Sequence, residues 1–214
     1  MTVQAPDALA IAERITERLT VRYPGEFSFD LVHEVVLDSL RRYRHLDHPS
    51  QHARALTAQL ASDRLDAVRW TNLHRDAPRP ASVLFVCSGN AGRSQLAAAV
   101  LRAAAPADSR VTSAGDLPAA RILPAVIETL DEVGVALFGE YPKPVTPEFV
   151  AAADHIVVLN CNDRLDGLDG HPFRTWNISL DSTSGKSGIR QTRDLIVAHV
   201  RELALELGID VRAF

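Results

Sequence analysis

Sulfur and aromatic side chains are scarce in this sequence, which has two cysteines, one methionine and 6% aromatic residues in 214 positions. Two cysteines, Cys87 and Cys161, are too few for the disulfide framework of a small secreted domain, and no spacing of cysteine and histidine is typical of a zinc site. No apolar run is long enough to span a membrane, and no signal peptide is visible. We therefore expect a protein of the reducing cytoplasm with no membrane partner.

The chain also lacks a large excess of charge of either sign, since its formal net charge is -4. A mildly acidic balance argues against a nucleic-acid partner, because such proteins need a basic surface to neutralise phosphates. Hydrophobic residues make up 46% of the chain, which is enough for the core of one large domain or two small ones.

The first 78 residues carry apolar side chains at helical spacing in three stretches, which predicts an N-terminal three-helix bundle. The predicted N-terminal caps of its helices are polar residues that can accept a hydrogen bond from the backbone: Asp7, Ser28 or Asp30, and Ser50. Two prolines, Pro78 and Pro80, then form a linker before the first strand. We therefore predict two domains, residues 1–78 and 79–214. The sequence does not identify a partner for the bundle.

Histidines in the first domain raise the question of a metal site. His48 and His52 are four positions apart, a spacing that can place two ligands on one helix face. No third ligand is evident, and Pro49 interrupts the helix between them. Exposed histidines of a turn and a helix are the better interpretation, and we predict no metal site.

From residue 81 the pattern alternates between strands and helices, which is typical of a parallel sheet with helices packed on its faces. The predicted strands are residues 83–86, 111–115, 154–160 and 174–178. Four helices are predicted in this region. One directly follows the loop after the first strand, one covers 123–133, a short one begins after Thr146, and the last covers 188–207. The fold class is therefore α/β, with a four-stranded parallel flavodoxin-like sheet. Ligands of such sheets bind at the carboxyl ends of the strands.

The carboxyl end of the first predicted strand carries the most informative pattern, Cys-x5-Arg-Ser followed by an alanine-rich helix. Cys87 ends the strand, and Arg93 and Ser94 begin the helix. The loop between them consists of small or polar residues: Ser88, Gly89, Asn90, Ala91 and Gly92. Small residues allow backbone N–H groups to point inward, and the helix start adds its positive end. The loop is therefore predicted to bind an oxyanion.

Several side chains of this stretch have a predicted role. Cys87 is the nucleophile, because the positive setting of the loop favours the thiolate. The planar guanidinium of Arg93 can grip two oxygens of a tetrahedral anion. The Ser94 hydroxyl donates to the sulfur, and the Asn90 side chain holds the shape of the loop through hydrogen bonds to the backbone. A structural cysteine beside a surface arginine is the alternative, but it does not account for the strand, loop and helix together.

The stretch Ser82–Leu101 resembles the active-site loop of the low-molecular-weight protein tyrosine phosphatases and of the arsenate reductases that share their fold. The phosphatases usually continue Arg-Ser-Pro and the thiol-linked reductases Arg-Ser-Gln, so Gln95 indicates the reductase branch. The resemblance extends over residues 82–205 through further matching segments: Ser113–Gly115, Asp154–Asp163, Trp176–Asp181 and Thr192–Asp194. The helices before residue 79 resemble an N-terminal extension of some actinobacterial arsenate reductases.

The resemblance implies roles for two residues outside the loop. Asp181 matches the general acid that protonates the departing oxygen, although an acidic residue at this place also suits a turn cap. Cys161 matches a second redox cysteine, although a small buried residue at a strand end is an equally good interpretation.

Four features depart from the family pattern. The usual Asp-Pro is Asp181-Ser182 here, and no third cysteine follows Cys161. The potassium-site glutamate of some reductases corresponds to Ala98. The stretch 182–186 has no aromatic residue, whereas the phosphatases place aromatics after the acid to stack phosphotyrosine.

After Cys87 has attacked the oxyanion, the group that attacks the resulting covalent adduct decides the reaction. Attack by a second thiol expels arsenite and leaves a disulfide, which is arsenate reduction. Attack by water releases phosphate, which is the activity of a protein tyrosine phosphatase. Gln95 and Cys161 favour the reductase.

The resemblance also implies the partners: an arsenate-type or phosphate-type oxyanion and a thiol redox protein. Electrons would come from an external thiol system, mycothiol with mycoredoxin or thioredoxin, with no tightly bound cofactor. A third hypothesis is a non-catalytic anion sensor whose bundle binds a partner.

Overall fold

The structure is a computed structural model, and it describes residues 5–43, 51–74, 80–160, 168, 170–181 and 185–210. Contacts divide the chain into two compact units, Met1–Ala77 and Pro78–Phe214. This division falls one residue before the domain boundary that the linker prolines suggest. Each unit has a hydrophobic cluster of its own.

The first unit is helical. Its helices are α1 (Ala5–Arg22), α2 (Phe29–Arg42) and α3 (Gln51–Leu73). Their apolar faces meet in a core formed mainly by aliphatic residues: Ile11, Ile15, Leu19, Val32, Val36 and Leu65, among others. Burial of these faces stabilises the helices, because most helical stability in proteins comes from tertiary packing of an apolar face.

The helix caps of the first unit agree only in part with the prediction. Ser28 caps α2, and its hydroxyl accepts a hydrogen bond from the Leu31 N–H at 3.2 Å. Asp7 is not a cap, because α1 already begins at Ala5 and contains it. Pro6 explains the earlier start, since proline suits the first turn, where no N–H is needed. Ser50 lies outside the described residues, as does His48 of the suggested histidine pair.

The second unit confirms the predicted four-stranded parallel sheet. Its strands are β1 (Ser82–Cys87), β2 (Arg110–Gly115), β3 (His155–Leu159) and β4 (Arg174–Trp176), in the order β2-β1-β3-β4. All three strand pairs are parallel. Every residue of the central strand β1 is buried, as expected where helices cover both faces of a sheet.

The helices of the second unit are α4 (Arg93–Ala104), α5 (Pro124–Asp131), α6 (Pro147–Ala151) and α7 (Gly185–Glu206). Thr146 caps α6 as predicted, with its hydroxyl accepting from the Phe149 N–H. Several element ends differ from the prediction by one to three residues, among them the end of β4 and the start of α7. Strand β4 stops at Trp176, because the Ile178 N–H bonds the Trp176 carbonyl in a tight turn. Helix α7 begins at Gly185, so that Gly188 lies inside it.

The carboxyl ends of β1, β2 and β3 lie at one edge of the sheet, because the strands are parallel and adjacent. Asn90 and Asn160 at this edge both have a left-handed backbone, with φ of 46° and 41°. Asparagine accepts this conformation more readily than most residues do. The helices within the described residues are all too short or too polar to span a bilayer.

Candidate active site

The loop after β1 directs its carbonyl groups away from its own centre. Four of these carbonyls accept hydrogen bonds of 2.9–3.2 Å from backbone N–H groups of the segment 116–123: Cys87 from Asp116, Ser88 from Leu117, Gly89 from Ala119 and Ala91 from Leu123. Among the described residues, none accepts a hydrogen bond from the backbone N–H groups of residues 88–92. The loop therefore presents a set of free donors, which is the arrangement that binds an anion.

Gly115 at the end of β2 supports the loop from behind. A Cβ atom at this position would lie 2.7 Å from the Asn90 nitrogen and 2.9 Å from the Ser88 carbonyl oxygen. Only glycine allows the loop to approach the sheet this closely. This close approach is a physical reason for the glycine of the Ser-Ala-Gly segment.

A chain of hydrogen bonds ends at the Cys87 sulfur. The Asn90 side-chain amide donates to the Ser94 hydroxyl oxygen at 2.8 Å, and that oxygen lies 2.9 Å from the Cys87 sulfur. Because Ser94 accepts from Asn90, its own proton is free to point at the sulfur. All three side chains are buried, and Cys87 is a free cysteine. The Ser94 hydroxyl is therefore placed to donate to the sulfur, and its predicted role toward the nucleophile stays a prediction.

Asn90 holds the loop through its side-chain oxygen as well. This oxygen accepts from the Lys143 backbone N–H at 2.8 Å and from the Gln95 amide at 3.1 Å. The Gln95 amide nitrogen also lies within hydrogen-bond distance of the Asn90 and Tyr141 carbonyls, at 3.2 and 3.1 Å. Gln95 therefore joins the start of α4, the loop and the segment 139–145 in one buried polar network.

Sequence reasoning used Gln95 only as a marker of the reductase branch and missed Lys143 entirely. Lys143 is 4% exposed, and its ammonium bonds Glu140 at 2.8 Å, while Arg102 bonds the other Glu140 oxygen at 3.0 Å. Burial raises the pKa of Glu140, but the two cations outweigh it and hold that pKa below its usual value. The only feature of the sequence that pointed to this ion pair was a glutamate and a lysine three positions apart.

Arg93 connects the loop to the end of β3. Its guanidinium donates to the Asn160 carbonyl at 3.0 Å, and the Asn160 side chain donates to the Ser179 hydroxyl at 3.2 Å. Arg93 is half-buried at the first position of α4. Its remaining N–H groups make no hydrogen bond within the described residues, and they suit the oxyanion role predicted for it.

Asp181, the predicted acid, follows a residue that contacts the loop. Leu180 packs on Gly92, where a Cβ atom would lie 2.9 Å from a Leu180 methyl group. Asp181 itself is half-buried, and its N–H donates to the Thr192 hydroxyl at 3.4 Å. The sheet edge thus brings the acid segment to the side of the loop. Ser182 lies outside the described residues.

Cys161 also lies outside the described residues, so its predicted redox role stays a prediction. Within the described ranges, no cluster of three or more His, Cys, Asp and Glu side chains is placed to hold a metal ion.

A parallel sheet whose central strand ends in a buried cysteine, followed by a loop of free N–H donors and an arginine, defines a class of enzyme. In this class a cysteine thiolate attacks a tetrahedral oxyanion that the loop holds. The family described as low molecular weight phosphotyrosine protein phosphatase matches residues 82–168. The chain belongs to this family, in the branch that contains arsenate reductases.

Known relatives include arsenate reductases and a phosphatase. The glutaredoxin arsenate reductase of Synechocystis is 35% identical over 131 residues, which cover 59% of this chain and 98% of the relative. The protein-arginine-phosphatase of Bacillus subtilis is 28% identical over 149 residues, which cover 61% of this chain and 99% of the relative. A solved thioredoxin-dependent arsenate reductase of Corynebacterium glutamicum has a TM-score of 0.78 and 31% identity, covering 93% of this chain and 97% of that one. This last similarity includes most of the N-terminal helices.

Proposed function

We propose that this protein is an arsenate reductase in which Cys87 attacks arsenate and an external thiol system supplies the electrons. The observation that carries the proposal is the 31% identity to the Corynebacterium reductase across 93% of the chain. The loop geometry supports it, because a ring of free N–H donors with Arg93 suits arsenate and phosphate, which are nearly the same shape and charge.

The first step joins Cys87 to arsenic. The thiolate attacks the arsenic atom, a sulfur–arsenic bond forms, and one arsenic–oxygen bond breaks. The departing group is a hydroxyl of arsenate, which takes a proton from Asp181 and leaves as water. Arsenic stays in its +5 state in this step, and the loop N–H groups with Arg93 hold the remaining oxygens.

The second step reduces arsenic. A second thiol attacks the Cys87 sulfur, and the electron pair of the sulfur–arsenic bond passes to arsenic, which leaves as arsenite in the +3 state. The two thiols become a disulfide, so the two electrons balance. The second thiol is either Cys161 or a small thiol such as mycothiol. A thiol redox protein, mycoredoxin or thioredoxin, then returns Cys87 to the thiol.

The test is arsenate turnover with glutaredoxin, thioredoxin and mycothiol systems, measured beside p-nitrophenyl phosphate hydrolysis. We expect arsenate-dependent oxidation of at least one donor and its loss in C87S. Mass spectrometry of arsenate-treated protein separates the two routes. If Cys161 is the second thiol, wild-type protein is expected to form a Cys87–Cys161 disulfide. If a small thiol takes this role, C161S is expected to accumulate a mixed disulfide between Cys87 and that thiol. Brisk aryl phosphate hydrolysis without any thiol oxidation contradicts the reductase proposal.

Hydrolysis of a phosphorylated side chain is the second candidate function. Cys87, Arg93 and Asp181 are all that a hydrolytic mechanism requires, and a protein-arginine-phosphatase is among the relatives. The stretch 182–186 lacks the aromatic residues that would stack a phosphotyrosine ring. We therefore place hydrolysis second.

A further inference from the structure

The backbone conformation of Gly188 does not require a glycine. It lies in the first turn of α7, where the backbone is helical and its φ is outside the left-handed region. Glycine is disfavoured inside helices relative to alanine. Five other glycines of the second unit differ from it, because they have positive φ and open space beside them: Gly134, Gly139, Gly170, Gly185 and Gly208.

The space beside Gly188 is filled by Asp181. A Cβ atom at position 188 would lie 2.8 Å from both the carboxyl carbon and one carboxylate oxygen of Asp181, and closer still to its carbonyl oxygen. Contacts this short involve backbone as well as side chain, so a methyl group at position 188 cannot be accommodated by rotating the carboxylate alone. The absence of a side chain at 188 is therefore what allows Asp181 to lie where it does.

One helical turn later, Thr192 completes this contact. Its buried hydroxyl accepts from the Asp181 N–H at 3.4 Å and lies 3.0 Å from the Gly188 carbonyl and 3.3 Å from the Ser179 carbonyl. Gly188 and Thr192 thus form a seat for Asp181 on one face of α7.

The seat is connected to the oxyanion loop through ordered elements. Arg190 of α7 makes a bidentate ion pair with Glu132, at 2.8 and 2.7 Å, just after α5. At the other end of α5, the Leu123 N–H bonds the Ala91 carbonyl of the loop at 3.0 Å. Helix α5 therefore spans the distance between the loop and the element that carries the seat.

We propose that Gly188 is a positioning residue, which sets the distance between the Asp181 carboxyl group and the oxyanion loop. The inference rests on the proposed role of Asp181 as proton donor in the arsenate step. An alanine at position 188 pushes Asp181 away from the helix while the loop keeps its shape. Anion binding then persists while proton delivery is impaired.

The experiment compares G188A with S187A, since Ser187 is exposed in the same turn and has no part in the seat. We expect G188A to lower kcat for arsenate at least tenfold, with the inhibition constant of inorganic phosphate changed less than threefold. S187A is expected to match the unaltered protein. T192V and T192S form a second pair: the valine is expected to lower kcat, and the serine, which keeps the hydroxyl, to restore it.

A double-substitution cycle with D181N separates positioning from general damage. Asparagine can still cap a turn but cannot donate the carboxyl proton. If Gly188 acts through Asp181, G188A has no further effect on kcat in the D181N background. An equal loss in both backgrounds overturns the inference, and so does full activity of G188A beside an impaired D181N. Full activity of D181N instead overturns the proton-donor role itself.

Discussion

The Ser94 hydroxyl oxygen lies 2.9 Å from the Cys87 sulfur, and both atoms are buried. The direction of this hydrogen bond is set by a third residue, because the Asn90 amide donates to the same oxygen at 2.8 Å. One hydroxyl group therefore connects Asn90, which holds the loop, with the sulfur of the nucleophile.

Replacing Ser94 with alanine is expected to slow arsenate turnover about tenfold to hundredfold, because a hydrogen bond to a charged group contributes about 1.5–3 kcal/mol. The rate of Cys87 alkylation by iodoacetamide at pH 7 is expected to fall with it. Phosphate inhibition constants serve as the control for loop shape, because slower alkylation with unchanged phosphate binding means that the hydroxyl acts on the sulfur. Unchanged alkylation in S94A would show that the hydroxyl does not act on the sulfur.

Replacing Gln95 with alanine is expected to destabilise the second unit by about 1–3 kcal/mol, because three buried acceptors each lose one donor. The acceptors are the carbonyl and side-chain oxygens of Asn90 and the Tyr141 carbonyl. Oxyanion affinity is expected to fall as well, since Asn90 holds the loop. Urea unfolding and phosphate binding measure the two effects. Gln191 is exposed on α7, and Q191A is the matched control.

Glu140 gives a prediction about pH. Its pKa is lowered in the folded protein, against the effect of burial, by Lys143 and Arg102. A lowered folded pKa stabilises the fold above the unfolded value of about 4.3, and this contribution is lost as pH falls below it. Wild-type protein is therefore expected to exceed E140Q in stability at pH 7, with the difference shrinking between pH 5 and pH 3.

Urea unfolding followed through Trp176 fluorescence measures this difference, with Trp70 replaced by phenylalanine in every variant so that the signal reports the second unit. E202Q, at an exposed position of α7, is the control. A difference between wild type and E140Q that stays constant over this pH range contradicts the assignment.

A fragment of residues 80–214 is expected to fold and bind phosphate. The reason is that the second unit has its own sheet and core, and the loop, Gln95 and Lys143 all lie within it. Phosphate titration and circular dichroism of the fragment check this expectation. Insolubility, or loss of Cys87 reactivity toward iodoacetamide, would mean that the helical unit is needed by the site.

Much of the site could be predicted because its signals are local. The apolar strand before Cys87, the small residues after it and the alanine-rich helix each follow from backbone preferences within a few positions. The donors of the loop and the place of Arg93 follow from that order. Element ends were less predictable: the last helix was predicted to start at Gly188, yet α7 begins at Gly185 and contains Gly188.

Hydrophobic periodicity and motif spacing specify the parallel sheet, the cysteine at the end of its central strand and the loop of small residues that follows it. Packing in three dimensions brings together the distant groups that complete the site. Gln95 reaches Tyr141, and Asn90 reaches Lys143, across about fifty positions of chain. Gly188 makes room for Asp181 only because α7 packs against the acid segment. Such contacts depend on strand order and helix packing, which no local pattern of residues encodes.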